Sequence, residues 1–364
     1  MTTGNHRVDD RFRLARLARG LSQGQLADMA GVTRQSISGI ESGRWSPSLE
    51  VALALASALG TSVEDLFGAT PELPALDAKL AVPTNASARL LLSEIDGAPV
   101  AYPLVGDSGF VPGFRPALAL ATIARPEVAG SLIATQPIAT LRPSVVIAGC
   151  DPALALLAGP LERHRPPTSL MWWACNNTAG RRLLEAGTVH AAAVHRRVAQ
   201  ELARPADHEV VGFAGWREGL VVSRAHAGSV RSLADALQAR LRLVNREPGS
   251  EARRLLDDAL GELGADPTTL PGYDTACSGH LLVASSIAAG LGEIGVASEP
   301  AALTYGLGFL PWQQEICELH IPRSLLGTQE IHALLDVLAG AELPAQLAAI
   351  AGYDTGPCGK VSEA

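Results

Sequence analysis

The sequence predicts a multi-domain protein in which an all-α helix-turn-helix head precedes an α/β domain. Three observations support this prediction. Two short capped helices joined by a tight turn lie between residues 21 and 44, and a Pro-rich change in composition follows residue 68. Strands and helices then alternate from residue 144 onward. Because 364 residues exceed the usual size of one domain, the chain has room for two or three hydrophobic cores.

The turn between the first pair of helices is defined by capping residues. Ser22 is an N-cap residue, and Gln25 three positions later completes a capping box. Gly31 stands where a left-handed residue ends the helix, and Thr33 caps the next helix. We therefore expect two short helices, with Leu26, Met29 and Ala30 on the inner face of the first one.

The second helix has an apolar inner face and a polar outer face. Ile37 and Ile40 are expected in the core, while Arg34, Gln35, Ser36 and Ser38 point outward. These side chains are suited to base edges and phosphates in a major groove.

This spacing resembles the Cro/repressor-type (XRE-like) helix-turn-helix family, and the match covers residues 8–67, the predicted DNA-binding domain. The resemblance implies a double-stranded DNA operator as partner, bound by a homodimer on a two-fold site. The alternative is that the matched side chains are ordinary exposed polar residues of a head that contacts proteins. The residues predicted to contact DNA are Gln23, Thr33, Arg34, Gln35, Ser36, Ser38, Ser42 and Arg44.

The net charge of −8 excludes a general nucleic-acid binder, so DNA affinity has to come from a local basic patch. Seven arginines within the first 44 residues supply one. The polar N-terminus predicts no secretory signal, and no apolar run is long enough to span a bilayer. The five cysteines lack CxxC spacing, which indicates a reducing compartment. We expect a cytoplasmic protein with no membrane partner.

The middle of the chain is expected to join the two main parts. Residues 68–87 are predicted as a linker, in which Pro74 to Leu80 could carry a short helix. Residues 88–143 are predicted as a small β-rich segment, because Asp96-Gly97 separates two apolar runs and is a common hairpin turn. The sequence leaves open whether this segment is a separate module.

From residue 144 to 355, the alternation of strands and helices predicts a parallel, doubly wound sheet. Three strand-to-helix corners carry small or polar residues, at 149–151, 176–180 and 248–250. Open α/β sheets bind ligands at such strand ends, where backbone amides are free. Helix capping is the competing explanation for the same residues.

A second resemblance covers residues 144–322. Its short motifs, in order, are Ile147-Ala-Gly-Cys-Asp-Pro, Gly187-Thr-Val-His, Trp216-Arg-Glu-Gly, Val244-Asn-Arg-Glu-Pro-Gly-Ser, Pro271-Gly-Tyr, Gly279-His-Leu and Glu293-Ile-Gly-Val-Ala. They resemble the periplasmic-binding-protein-like domain of bacterial regulators, and type II molybdate/tungstate-binding proteins. The resemblance implies two α/β lobes with a cleft between them.

Within this resemblance, two of the predicted ligand contacts are acidic, which is unfavourable for binding an oxyanion. Glu251-Ala252 stands where oxyanion-binding relatives usually have Gly-Thr, and Asp151 is also acidic. We therefore expect an oxyanion or another polar metabolite as effector, with the oxyanion disfavoured. The residues predicted to bind it are Cys150, Asp151, Asn176, Asn177, Thr178, Arg246, Ser250 and Glu251.

Metal and enzyme functions are not predicted. His190, His195 and His280 could ligate a metal with Cys150, Cys175 or Cys277, but no close-spaced pair supports this, so no metal and no cofactor are expected. A thiol-based sensor using Cys150 and Cys175 is an alternative to small buried side chains. The chain has no G-x-S-x-G, P-loop or H-E-x-x-H motif, and Gly290 to Gly295 runs from helix to strand, opposite to a dinucleotide fingerprint.

Together, these patterns favour a ligand-responsive DNA-binding transcriptional regulator with no catalytic residues. The alternative is a molybdate/tungstate-type sensor or binding protein whose head mediates protein contacts.

Overall fold

The computed structural model describes residues 6–67, 75–84, 89–104, 110–111, 113–114, 118–125, 129–134, 143–198 and 205–362. The chain divides into two compact units, Met1–Leu73 and Pro74–Ala364. In the described part of the chain, helices that are both long and apolar enough to cross a bilayer are absent.

The first unit is a head of five helices. They are α1 His6–Ala18, α2 Gln23–Ala30, α3 Arg34–Glu41, α4 Leu49–Leu59 and α5 Val63–Phe67. The predicted caps are confirmed. Ser22 and Gln25 form a reciprocal capping box, Gly31 is left-handed at φ 67°, and Thr33 accepts the Ser36 N–H.

The core of the head is built from Phe12, Leu26, Ile37 and residues of α4 and α5. The apolar pattern of residues 9–19 predicts that Phe12, Leu14, Ala15 and Leu17 face this core. Phe12 does so, but Leu14 and Leu17 are 62% and 50% exposed. The buried position between them belongs to Arg16, whose guanidinium bonds Glu41 and the Leu21 carbonyl. An ion pair with this many hydrogen bonds allows a charged residue to occupy a core position.

Met29 of α2, also expected in the core, is 55% exposed, and Ala27 is buried instead. Apolar periodicity over a helix of eight residues does not fix which face is buried.

The second unit begins with seven short strands. They are β1 Ala75–Leu80, β2 Arg89–Ile95, β3 Ala98–Pro103, β4 Phe110–Val111, β5 Gly113–Phe114, β6 Ala119–Arg125 and β7 Ala129–Ala134. Five of them close a small barrel in the order β1-β3-β2-β6-β7, and β4 and β5 pair separately. The predicted hairpin is confirmed as β2 and β3, with Asp96 and Gly97 both at positive φ.

Strand β1 corrects the prediction of a linker over residues 68–87 and of a short helix near Leu80. It pairs in parallel with β3 and antiparallel with β7, so its partners are distant in sequence. The Pro-rich local sequence gives no indication of such long-range strand pairing. Residues 68–74 and 85–87 of the predicted linker lie outside the described residues.

The rest of the second unit is a mixed α/β domain. Its strands are β8 Ser144–Gly149, β9 Ser169–Ala174, β10 Ala191–Arg197, β11 His208–Val222, β12 Leu243–Arg246, β13 Ala276–Cys277, β14 Ile294–Ser298, β15 Gly308–Pro322 and β16 Tyr353–Asp354. Its α-helices are α6 Ala158–Arg163, α7 Asn177–Glu185, α8 Leu233–Gln238, α9 Glu251–Glu262, α10 His280–Ala288, α11 Glu299–Thr304, α12 Gln329–Ala339 and α13 Glu342–Ala348. Short 3₁₀ helices span Pro152–Leu157, Pro267–Thr269 and Arg323–Leu325.

The sheet runs in the order β13-β12-β14-β11-β15-β10-β8-β9, and β16 pairs with β11. Strands β8, β9 and β10 form one parallel group, and β12, β13 and β14 form another. Between the groups, the 15-residue strands β11 and β15 pair antiparallel. The predicted doubly wound parallel sheet is therefore right only for the two flanking groups.

Strands β11 and β15 join two lobes because each contributes to two separate cores. Phe213 and Leu319 pack in one core with β8 and β10, whereas Leu220 and Leu310 pack in another with β12 and β14. The first lobe is thus built on β8–β10 and the second on β12–β14. The barrel docks on the first lobe, where the buried Tyr102 hydroxyl donates to the Thr188 carbonyl at 2.6 Å.

Gly219 in β11 marks a β-bulge between the lobes, and a Cβ there would overlap the Leu310 carbonyl of β15. We expect Gly219→Ala to destabilise the second unit by about 2–3 kcal/mol, because backbone on both strands has to move. Gly261 in α9 is the matched control: its Cβ meets nothing within 4 Å. Gly261→Ala should stabilise by about 0.5–1 kcal/mol through helix propensity. Urea unfolding measures both changes; equal shifts would contradict the close packing at the bulge.

Candidate DNA-contacting surface and ligand-binding cleft

The N-terminal turn of α3 presents the predicted recognition residues. Arg34 and Gln35 are exposed. Thr33 caps the helix, and its hydroxyl lies 2.9 Å from that of Ser36. Ser38 is half-buried further along the helix. The two long side chains are therefore free to reach DNA, while the hydroxyls of Thr33 and Ser36 are engaged with each other.

Three other predicted contacts are held by local hydrogen bonds. Gln23 donates to Glu41 at 2.7 Å, which connects α2 to the buried Arg16 pair. Ser42 donates to the Ser38 carbonyl, and Arg44 donates to the Ser42 hydroxyl at 2.9 Å. These bonds fix the two helix ends that flank the α3 surface.

A cavity of about 650 Å³ lies between the lobes, at the carboxyl ends of strands from both parallel groups. Aromatic and aliphatic side chains form much of its wall, and α10 contributes its N-terminal turn. Its lining residues are Cys150, Pro152, Trp172, Trp173, Ala174, Cys175, Asn176, Ala179, Glu247, Ser278, Gly279, His280, Leu281, Leu282, Ser285 and Tyr305. Glu247 is the charged residue among them. A pocket of this size and composition fits a small organic ligand.

Four predicted ligand residues lie in or beside this cavity. Cys150 and Asn176 line it. Asn177 instead exchanges two hydrogen bonds with the His195 backbone, at 2.8 and 3.2 Å. Thr178 donates to the Gly249 carbonyl at 3.3 Å and so connects the two lobes.

The other four predicted ligand residues are used by the fold outside the cavity lining. Asp151 caps the following 3₁₀ helix and accepts the Tyr353 hydroxyl at 2.5 Å. Ser250 caps α9, and Glu251 pairs with Arg254 one turn along that helix. For Asp151 and Ser250, helix capping explains the sequence pattern that suggested ligand contact.

Arg246, the fourth of these, is 1% exposed and lies behind the cavity wall. Its guanidinium makes a two-bonded ion pair with Glu247 at 2.8 and 2.9 Å. A third nitrogen lies 3.1 Å from His280 Nδ1. Arg246 therefore supports two residues of the wall instead of meeting a ligand directly.

Ionisable residues meet where β11 and β15 pass behind the cavity. His195 Nδ1 forms a hydrogen-bonded ion pair with Glu315. Glu218 is completely buried, and neither of its carboxyl oxygens has a hydrogen-bond donor among the described residues. Ligand-type atoms of His195, Glu218 and Glu315 lie within 4.8 Å of one another. Two carboxyl groups and one imidazole thus share a buried site.

The surroundings shift the pKa values of Glu218 and Glu315 in opposite directions. Burial and the neighbouring Glu315 carboxylate raise the pKa of Glu218 well above its usual value. Burial opposes the charged form of His195, but Glu315 and Cys150 raise its pKa well above normal. Since His195 lowers the pKa of Glu315 despite burial, the site holds a charged His195–Glu315 pair beside a protonated Glu218.

His280 connects this cluster to the cavity. Its Nδ1 accepts the Ser298 N–H at 3.2 Å, which places the ring proton on Nε2, 3.7 Å from Cys150 Sγ. Ligand-type atoms of Cys150, His195 and His280 lie within 4.8 Å of one another. These three residues have atom types that can ligate a metal ion. However, the proton assigned to His280 Nε2 points at the Cys150 sulfur, so that nitrogen has no free lone pair for a metal ion.

The other metal candidates are placed differently. His190 is buried and accepts the Val146 N–H at 3.0 Å, and burial lowers its pKa to about 4. Cys175 lines the cavity, where burial raises its pKa to about 12. The expectation of no bound metal stays a prediction.

Glu218 and Glu315 were missed from the sequence. Each lies inside a 15-residue strand that carries both apolar and polar residues, Glu218 in β11 and Glu315 in β15. An acidic residue within a buried strand is itself a signal of a functional or paired site. The pairing of β11 with β15, which brings the two together, has no local signature.

The fold and the cleft define a class: a helix-turn-helix transcription-regulator domain fused to a ligand-binding domain of the periplasmic-binding-protein type. The family model described as PBP superfamily domain matches residues 158–339, and a Helix-turn-helix model matches residues 12–66. The chain belongs to the PBP superfamily domain family and carries an XRE-type head.

Three relatives illustrate the two parts. The uncharacterized protein YvgK of Bacillus subtilis is 30% identical over 145 residues, or 40% of this chain and 46% of YvgK. An uncharacterized protein from a ferredoxin gene 5′ region of Clostridium pasteurianum is 32% identical over 29% of this chain and 96% of its own. An HTH-type transcriptional regulator of Methanothermobacter thermautotrophicus is 53% identical over 13% of this chain and 71% of its own. The chain thus spans about half the length of YvgK.

The raised pKa of Glu218 predicts a stability effect with a definite sign. The folded chain retains a proton that the unfolded chain loses above pH 4.5, so this group makes folding less favourable as pH rises. Glu218→Gln keeps the shape of the side chain and an N–H donor for Glu315, but it has no titratable proton. We expect its stabilising effect to grow between about pH 5 and pH 8, by at most about 1.4 kcal/mol per unit.

Urea unfolding at several pH values measures this effect. Glu262→Gln, on the exposed end of α9, is the matched control and should show no such trend. A Glu218→Gln effect that is independent of pH would mean that Glu218 is ionised in the folded protein.

Proposed function

We propose that this protein is a transcriptional regulator whose head binds an operator and whose cleft binds a small organic effector that changes operator affinity. The observation that carries the proposal is the 650 Å³ cavity between two lobes on a chain that also carries the exposed α3 surface. An effector changes operator affinity to the extent that it binds the two states of the protein with different affinity. DNA binding places its action in the cytoplasm.

The lining supports a neutral polar or carbonyl-bearing effector over an oxyanion. Arginine and lysine are absent from the described lining, and Glu247 adds negative charge. The first-turn N–H groups of α10 have no intrahelical partners and can donate to a ligand oxygen. Trp172, Trp173 and Tyr305 offer apolar surface for the remainder of the ligand.

A homodimer fits this role, because one eight-residue recognition helix reads few base pairs and a two-fold operator doubles the contacts. The molybdate/tungstate-type alternative, with a head for protein contacts, is distinguished from this proposal by the two experiments below.

The DNA half is tested with the double variant Arg34→Ala/Gln35→Ala. Losing two base-edge contacts should weaken operator binding at least about tenfold, since each is worth about 1–3 kcal/mol. Gel shifts use DNA from upstream of the gene, at fixed salt. Arg231→Ala/Gln238→Ala, two exposed residues of the same types in the second unit, is the control. Equal affinities of both variants and wild type would remove α3 as the recognition helix.

The ligand half is tested by thermal shift with molybdate, tungstate, carboxylates, aldehydes and ketones. A ligand that binds only the folded state raises the midpoint by mass action. We expect shifts from carbonyl compounds that Ser285→Phe removes, since Ser285 lines the cavity. Ser229→Phe, at an exposed position, should retain them. A shift with molybdate alone would instead support the oxyanion alternative.

A further inference from the structure

The Cys150 thiol lies where an imidazole proton, a buried ion pair and the ligand cavity meet. Cys150 lines the cavity, and the residue is 8% exposed. His280 Nε2 is 3.7 Å away, and a nitrogen of the charged His195 lies within 4.8 Å. Neighbouring N–H donors and a positive charge favour the nucleophilic, anionic form of a thiol.

The groups behind His195 hold it in one orientation. Glu315 binds His195 Nδ1, and Gln313 donates to the second oxygen of Glu315 at 2.5 Å. Asn177 fixes the His195 backbone by two hydrogen bonds. A nucleophile, an imidazole and an orienting carboxylate therefore follow one another as Cys150, His195 and Glu315, the sequence of roles found in nucleophilic catalysis.

A fourth element is the start of α10 in the cavity wall. Gly279 caps this nine-residue helix without a side-chain hydrogen bond, and Gly279, His280 and Leu281 line the cavity. The first backbone N–H groups of a helix are directed outward and stabilise negative charge on an oxygen. They lie across the same cavity that Cys150 enters.

We propose that Cys150 is a nucleophilic thiol that captures a conjugated carbonyl compound in the cavity, with His195 as proton donor and Glu315 as positioning residue. This inference deepens the proposed function by naming the chemical class of the effector, and it rests on that function only for the effect on DNA binding.

The step balances with the groups present. The Cys150 thiol releases its proton to solvent, its sulfur forms a bond to the β-carbon of the ligand, and the C=C π electrons move to give an enolate. The enolate oxygen accepts the first-turn N–H groups of α10. His195 then gives its proton to the α-carbon and becomes neutral. The product is a thioether on Cys150, with no oxidant or reductant required.

Cys175 provides an internal comparison. It lines the same cavity and follows β9 as Cys150 follows β8, but burial raises its pKa to about 12. A reagent that enters the cavity therefore meets both thiols, of which only Cys150 has the two imidazoles beside it.

The experiment treats the full-length protein with N-ethylmaleimide, a conjugated carbonyl probe, and measures labelling of each cysteine by peptide mass spectrometry. At about pH 6.5 we expect Cys150 to react at least about tenfold faster than Cys175. The ratio should approach one in urea, where both thiols lose their folded surroundings. A folded-state ratio of one or less would overturn the proposal without any variant.

Two variants test the roles of the supporting groups. Glu315→Gln should lower the Cys150 rate at least about tenfold and change its pH profile, because His195 loses the carboxylate that raises its pKa. Glu318→Gln, on the same strand in the ion pair with Arg196, should leave the rate and its pH profile unchanged. An unchanged rate in folded Glu315→Gln would remove Glu315 as a positioning residue. His195→Asn supplies the same test if Glu315→Gln does not fold.

A gel shift with the labelled protein separates the inference from the proposed function. Fast labelling of Cys150 with unchanged DNA affinity would retain the thiol chemistry and overturn the effector role. Slow labelling in a protein that binds DNA would overturn the thiol chemistry alone.

Discussion

The antiparallel pairing of β11 with β15 is the constraint on which the second unit depends. Each strand runs through two hydrophobic cores, so the two lobes share a backbone hydrogen-bond ladder and a fixed register. The bulges in that ladder allow Gly215 and Gly219 to sit against the partner strand. The same ladder brings Glu218 and Glu315 together behind the cavity. The pairing of β11 with β15 thus determines both the two-lobed architecture and the position of the buried carboxyl groups.

A buried charged cluster of this kind reduces stability unless the fold compensates for it. Glu218 is completely buried and has no hydrogen-bond donor among the described residues, while His195 and Glu315 are paired in the same buried space. Structures retain such arrangements where protonation or nucleophilicity is needed. The apolar cores of the two lobes offset the unfavourable free energy of burying this cluster.

Local signals were sufficient to predict the head and the strand-to-helix corners. The capping and turn residues of the head contact atoms within four positions along the chain, and each has the predicted role. They are Ser22, Gln25, Gly31 and Thr33. Arg16 shows the limit, because its burial in α1 depends on an ion pair with Glu41, 25 residues away. The barrel strand β1 was missed for the same reason, since both of its partners are distant.

The candidate site was predictable only in its outline. Cys150 and Asn176 were found because residues after parallel strands converge at one sheet edge. Asp151 and Ser250 have the same local pattern but serve as caps, and a sequence cannot distinguish a capping oxygen from a ligand-binding one. Glu218 and Glu315 required the register of two strands about a hundred residues apart.

The contacts across the cleft have a kinetic consequence. Thr178 bonds Gly249, and Arg197 lies 3.6 Å from Asp258, so both lobes touch on the solvent side of the cavity. Separation of the two lobes has to break these bonds, so they contribute to the rate at which the lobes part. The contacts of Thr178 with Gly249 and of Arg197 with Asp258 therefore favour the arrangement in which the two lobes lie together.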